Sequence, residues 1–330
     1  MKVLAGDIGG TNARLAVYDV ELTRYKMLVA DTFPSREYPS LDEIVAGFMK
    51  GHGIDCQRAC FGVPGPVKDG AAQTTNLPWL VETSKLAGAA QVEVIAVIND
   101  LKAQAYGIAA LAPEDFEVLN PGSETASGNA ALIAAGTGLG QAGLYWDGQA
   151  YHPFATEGGH TNFGPSGELQ IALLDFLARR FGRVSWERIV SGPGLANLFE
   201  FLLEYRSAAK PSWFDEEVGE RGDPAPVITK AALDGRCEIC VEALDIFVGA
   251  YGAEAGNLAL KMLATGGVFV GGGIAPKIVD RLREPMFIEA FLDKGRMRPL
   301  LEATPVRLIM SQSTALLGAA RFAVSLAAAA

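Results

Sequence analysis

Gly6-Asp7-Ile8-Gly9-Gly10-Thr11-Asn12 runs directly into Ala13-Arg14-Leu15-Ala16-Val17-Tyr18. The same arrangement returns later as Ala134-Ala135-Gly136-Thr137-Gly138-Leu139-Gly140, followed by Gln141-Ala142-Gly143-Leu144-Tyr145-Trp146. Each stretch joins an apolar run, a tight Gly/Thr turn and a second alternating run, the pattern of a β-hairpin with an exposed tip. Glycine reaches positive φ, and its missing side chain lets several backbone N–H groups converge on an anion. Two such tips grip a nucleotide's phosphates from both sides, so the chain reads as built to hold ATP. A third glycine cluster, Gly271-Gly272-Gly273, closes the apolar run Gly267-Val268-Phe269-Val270 and strengthens the nucleotide reading over that of a mere turn.

Composition bounds what else the chain does. At 330 residues it exceeds what one core usually supports, so two domains are expected. Apolar residues make up 49% and charged residues 20%, which leaves ample material for cores. The net charge is −10 with no Lys/Arg block, which argues against nucleic acid or an anionic membrane as partner. The first strand begins at once with Lys2-Val3-Leu4-Ala5, and no apolar stretch is long enough to span a bilayer. A soluble, cytoplasmic protein is expected. Four cysteines are too few for a disulfide framework. Cys237-Glu238-Ile239-Cys240 has C-x-x-C spacing, but Cys56 and Cys60 lie far upstream and none of His52, His152 and His160 is beside it. Helical burial of the Cys237 segment is therefore favoured over metal or redox chemistry.

Along the chain, strands are expected at Val3–Gly6, Ala13–Tyr18, Leu28–Phe33, Ala59–Val63 and Val94–Ile98, with helices at Leu41–Lys50, Thr83–Ala89 and Leu101–Ala112. That order gives a mixed sheet with helical crossovers. Asn120–Gly128 reads as loop. A second round opens with Leu132-Ile133-Ala134 and the second hairpin, and continues with helices at Leu169–Phe181, Gly194–Ala208, Ile228–Leu233 and Cys240–Ala264. Pro211–Pro226 reads as a polar surface excursion, Gly267–Val270 and Pro305–Met310 as strands, and the end of the chain from Thr314 as a packing helix. The hairpins thus open two similar halves, a weak internal repeat with separate cores and a cleft between them.

Several polar residues stand where chemistry is possible. Asp7 enters the first glycine turn, where its carboxylate either organises the turn or sits near a magnesium ion bridging phosphates. Asn99-Asp100 ends the run Val94–Ile98. It either caps the following helix or, at the carboxyl end of a strand, accepts a proton from a substrate hydroxyl. Thr156-Glu157-Gly158-Gly159-His160 follows a turn at Pro153-Phe154. Its paired carboxylate and imidazole suit a polyhydroxylated ligand. In Ser185-Trp186-Glu187-Arg188-Ile189-Val190-Ser191-Gly192-Pro193-Gly194, Ser185 is a candidate cap for a short helix with Glu187 and Arg188 solvated. Ser191 starts a longer helix whose N–H groups either merely need capping or face a ligand.

Taken in order, these strings closely resemble bacterial glucokinases of the hexokinase type, within the actin-like ATPase superfamily. The motifs run from Gly6–Asn12 through Ile98-Asn99-Asp100, Gly136–Gly140, Glu157–His160 and Glu187–Gly194 to Val268–Ile274, nearly the whole chain. The resemblance implies an α/β, two-domain actin-like (ribonuclease H-like) fold with a cleft. A small α/β domain of residues 1–110 plus 301–330 and a larger α+β domain of residues 111–300 are expected. It implies ATP and Mg²⁺ with glucose as acceptor, the first step of glycolysis, and a homodimer. On matching positions, Asp100 resembles the catalytic base, and Asn99, Asp100, Glu157, His160 and Glu187 resemble the glucose ligands with Gly138 close by. Gly6, Asp7, Ile8, Gly9, Gly10, Thr11 and Asn12 resemble the first phosphate loop, with Asp7 toward the metal. Gly136, Thr137 and Gly138 resemble the second phosphate loop, and Gly271, Gly272 and Gly273 the adenosine loop. The related repressor/kinase branch carries a cysteine-rich zinc signature after its E-x-G-H segment. Here Thr161-Asn162-Phe163-Gly164-Pro165 follows His160, so zinc is not expected. Three rivals are a kinase of mannose, fructose or an N-acetylated hexosamine, a sugar-responsive transcription regulator, and a chaperone or cytoskeletal ATPase. The regulator would need a DNA-binding extension for which the start at Gly6 leaves no room. The ATPase would not need the Glu/His constellation.

Overall fold

The computed structural model describes residues 1–22, 24–74, 77–219 and 222–326, which form two compact units. The first comprises Met1–Asp115 with the C-terminal segment from Ser311, and the second Phe116–Met310.

In the first unit, β1 (Lys2–Ile8), β2 (Asn12–Glu21) and β3 (Arg24–Pro34) form an antiparallel trio. The chain continues through α1 (Leu41–His52) into β4 (Arg58–Val63), which pairs parallel to β1. A small meander follows, β5 (Val67–Lys68), β6 (Ala71–Gln73) and β7 (Leu80–Glu82). After it come α2 (Thr83–Ala90), β8 (Val94–Asn99) parallel to β4, and α3 (Asp100–Ile108). The five-stranded order is β3-β2-β1-β4-β8. Side chains of β1 alternate between two cores: Leu4 and Ile8 join α1 and α2 on one face, while Val3 and Ala5 meet the C-terminal helix Thr314–Ser325 on the other. Burial on both faces explains the unbroken apolar runs of these strands.

The second unit begins with β9 (Phe116–Asn120), then β10 (Ala130–Ala135), β11 (Leu139–Trp146) and β12 (Tyr151–Thr156), the last three antiparallel in sequence. Helices α4 (Gly167–Phe181), α5 (Gly192–Tyr205), α6 (Phe214–Val218), α7 (Ala225–Leu233) and α8 (Glu238–Met262) lead to β13 (Gly267–Gly271). Then α9 (Val279–Arg283), α10 (Pro285–Leu292) and α11 (Arg298–Glu302) precede β14 (Val306–Ile309). The six-stranded order is β12-β11-β10-β13-β14-β9, with β13 parallel to β10 and β14 parallel to β13. Both sheets therefore share one plan, an antiparallel trio whose first strand is followed on its other side by two parallel strands. The internal repeat is one of topology.

Several expectations need correction. The helix expected to reach Ala112 stops at Ile108, where Ala110 and Leu111 donate to Gly107 and Ile108 in tighter turns ahead of Pro113. Pro153-Phe154 lies inside β12 rather than at a turn; β12 is an edge strand, where a missing N–H is tolerated. The stretch Pro211–Pro226 is not all surface. Phe214 is buried and stacks on Phe199 with centroids 4.5 Å apart, and Ala225 opens α7. Within that stretch, residues 220 and 221 lie outside the described residues, as do residues 327–330 of the expected C-terminal helix. The expected return to the first domain at residue 301 moves to Ser311, because β14 completes the second unit's sheet between β13 and β9. Among the described residues, no helix is long and apolar enough to cross a membrane.

Candidate active site

In the first unit, β1 and β2 pair down to Ile8 opposite Ala13, and the Gly9 N–H donates to the Asn12 carbonyl at 2.8 Å. Gly9–Asn12 is the tip, while Gly6 and Ile8 are buried in the strand. A Cβ on Gly6 would lie 2.3 Å from the Phe61 ring, so this glycine serves packing. Asp7 faces Arg14 across the hairpin, and the guanidinium donates to its Oδ2. The other arm of Arg14 donates to the Gln312 carbonyl at 2.8 Å. Buried Ser35, which sequence reasoning passes over, braces the tip. Its hydroxyl donates to the Gly9 carbonyl and its N–H to the Thr11 carbonyl, both at 2.9 Å.

Asn99 and Asp100 sit where β8 becomes α3. The Asn99 side chain accepts from the Lys102 N–H at 3.1 Å, so it is the helix cap, and its Nδ2 donates to the Gly65 carbonyl at 3.3 Å. Asp100 opens the helix half-buried, and its Oδ1 accepts from the Leu101 N–H at 2.9 Å. Gly62 of β4 leaves room for this approach, since a Cβ there would stand 2.8 Å from Ala103.

In the second unit, the predicted sugar-binding groups converge. Glu187 Oε2 accepts from the Leu139 N–H at 3.0 Å, and a Cβ on Gly138 would lie 2.5 Å from that oxygen. His160 stands between two carboxylates, with Nε2 3.9 Å from Glu157 and Nδ1 3.8 Å from Glu187. Side-chain exposures of 61% for Glu157, 55% for His160 and 29% for Glu187 leave all three open to a ligand. Secondary bonds hold them there. Trp186 N–H donates to the Thr161 carbonyl at 3.1 Å and Arg183 to the His160 carbonyl at 2.7 Å. Ser191 donates to the Glu187 carbonyl at 2.6 Å while capping α5 through the Gly194 N–H at 3.0 Å. Ser185, by contrast, makes no side-chain cap.

The second hairpin tip closes with the Gly136 N–H on the Gly138 carbonyl at 2.8 Å, and the Gly192 N–H ties α5 to the Gly136 carbonyl at the same distance. Gly272 lies against this strand end with φ +84°, and a Cβ there would meet the Ala135 carbonyl oxygen at 2.2 Å; only glycine fits. Buried Tyr251 of α8, also unmarked by any motif, joins the two glycine loops. Its hydroxyl accepts from the Ala135 N–H at 3.1 Å and lies 3.0 Å from the Gly271 carbonyl. Burial pushes its phenol well above the usual range, so it stays a neutral donor.

Among the described residues, no three His, Cys, Asp or Glu side chains gather as a metal site. Mg²⁺ takes one or two carboxylates together with phosphate oxygens and water, and Asp7 at the base of the first tip is a carboxylate that could serve in that way. Cys56, Cys60 and Cys240 are poor nucleophiles: burial pushes Cys56 up to about 11 and raises Cys60 and Cys240 further.

The glucokinase family model matches residues 4–326. A glucokinase of Synechocystis sp. is 40% identical, with 96% of each chain covered. Among solved structures, a glucokinase from an Antarctic psychrotroph superposes with a TM-score of 0.83 at 33% identity, covering 98% of this chain and 99% of that one. A ROK family glucokinase from Streptomyces griseus, in complex with glucose and AMPPNP, shares the fold with a TM-score of 0.67 at 22% identity, covering 99% of this chain and all of that one.

Proposed function

The chain belongs to the glucokinase family, and from that premise we propose that it transfers the γ-phosphoryl group of ATP to the 6-hydroxyl of glucose, giving glucose 6-phosphate and ADP. The observation that carries the reading is the convergence of Glu157, His160 and Glu187 beside Gly138. Ionised carboxylates only accept hydrogen bonds, so two of them flanking an imidazole suit neighbouring sugar hydroxyls. The AMPPNP and glucose bound by a protein of the same fold support the choice of co-substrates.

In this reading the fold is of the actin-like ATPase kind, and each unit contributes to the reaction. Glu157, His160 and Glu187 bind the sugar with Asn99 and Asp100, and Gly138 allows its close approach. Gly6–Asn12 and Gly136–Gly138 form the phosphate loops, and Gly271–Gly273 borders the adenosine. Asp100 takes the proton of the 6-hydroxyl as that oxygen bonds to the γ-phosphorus; the bond from phosphorus to the bridging oxygen breaks and ADP leaves. When bound by Asp7 and the phosphates, Mg²⁺ supplies charge neutralisation. By family resemblance the enzyme works as a cytoplasmic homodimer at the entry to glycolysis.

A coupled assay over a sugar panel, with and without ATP, tests the proposal. Glucose is expected to give the highest kcat/KM, because hydroxyl-reading sites discriminate strongly. A higher value for mannose, fructose or an N-acetylated hexosamine would overturn the choice of sugar. ADP release indifferent to every sugar would overturn the kinase itself.

A further inference from the structure

Glu254, in the middle of α8, is 0% exposed, and among the described residues it is the fully buried carboxylate. A carboxylate removed from water is costly unless its oxygens are satisfied, and an apolar side chain of similar volume would serve the core as well. Here both oxygens are engaged. Oε1 accepts from Gln141 Nε2 at 2.8 Å and lies 3.5 Å from Lys261 Nζ, while Oε2 accepts from Asn257 Nδ2 at 3.0 Å.

Gln141 carries the arrangement toward the candidate site. It is buried on β11 opposite Thr156, whose hydroxyl donates to the Gln141 carbonyl at 3.1 Å and accepts from the Gly158 N–H at 3.3 Å. The far end of the Gln141 side chain lies over Gly158 in space that a Cβ would fill, 2.0 Å from Oε1. A carboxylate can only accept, so Glu254 obliges the amide NH₂ to face it and the amide oxygen to face Gly158. Gly158 is flanked by Glu157 on one side and leads to His160 on the other.

We propose that Glu254 is a positioning residue for sugar recognition, acting through Gln141 to fix the turn that presents Glu157 and His160. The inference rests on reading those two residues as sugar ligands. In Glu254→Gln the new amide both donates and accepts, so the orientation of Gln141 is no longer dictated. The variant is expected to raise the glucose KM on the order of tenfold, as coupled neighbours do. The ATP KM and the melting temperature should stay near native. Amide hydrogen exchange across residues 156–161 should quicken. A native glucose KM with native exchange would overturn the proposal, as would an equal loss toward both substrates. Should Glu254→Gln fail to fold, the double variant Gln141→Leu/Glu254→Leu exchanges the whole pair for apolar groups, a swap that tends to be near neutral for stability. It is expected to fold with the same rise in glucose KM. Collapse of both variants assigns Glu254 to the core alone and overturns the proposal. If the native protein does not phosphorylate glucose, the function reading fails, and the exchange comparison still decides whether Glu254 orders the turn.

Discussion

Glu187 holds the Leu139 N–H with one oxygen and faces His160 with the other, so its substitution touches both the second hairpin and the sugar groups. Glu157 is exposed, and its carboxylate lies 3.9 Å from His160 Nε2. Glu157→Gln is therefore expected to weaken glucose binding by roughly 1–3 kcal/mol at an unchanged melting temperature. Glu187→Gln should weaken binding at least as much, because its amide oxygen can keep the Leu139 N–H but the charge facing His160 is lost. Calorimetric titration with glucose and thermal melting check both, and an unchanged glucose affinity removes either residue from the site. At this scale the sequence marks residues that sit in recognisable strings, as Glu157, His160 and Glu187 do. It is silent on Ser35, Gln141, Tyr251 and Glu254, which no motif marks and whose partners lie far away along the chain.

Helix α3, which starts at Asp100, packs backbone to backbone against the C-terminal helix. A Cβ on Gly107 would stand 2.0 Å from the Thr314 carbonyl, and one on Gly318 would stand 1.7 Å from the Ala103 carbonyl. Gly318→Ala must push the helices apart, at a cost of roughly 1–3 kcal/mol or more of overpacking, and should lower kcat by displacing Asp100. Denaturant unfolding and turnover check this, and a variant of native stability would show that the helices yield freely. Tyr251→Phe on α8 leaves the buried Ala135 N–H without its partner, a loss of roughly 1–3 kcal/mol, and should raise the ATP KM more than the glucose KM. Equal KM changes would separate this hydroxyl from the nucleotide loops. Long or strongly patterned elements are legible: both hairpins, α1, α4 and α8 stand close to their expected positions. Helices α9 to α11 are not, because five to eight residues span too few turns to show a period. The strand β9 hides similarly, its sheet place set by pairing with distant β14.

For the molecule as a whole, the repeat is visible in the paired glycine hairpins, yet the extent of each unit is not. A short apolar strand such as Val306–Ile309 carries no mark of the sheet it will join, so the point of return at Ser311 emerges only from β13 and β14 pairing. In the proposed reaction a chain of net charge −10 would hold a triphosphate through local N–H groups rather than a basic surface, which leaves the glycine tips and one aspartate as the groups to test. Asp100→Asn isolates that aspartate, because the Asn99 cap stays and an amide oxygen still accepts from Leu101. The decisive measurement is the rate of ATP-dependent glucose 6-phosphate formation by this variant beside the native protein, with glucose affinity measured on both. If Asp100 is the general base, kcat falls by roughly 10²–10⁴-fold with glucose still bound. Near-native turnover by Asp100→Asn would contradict it.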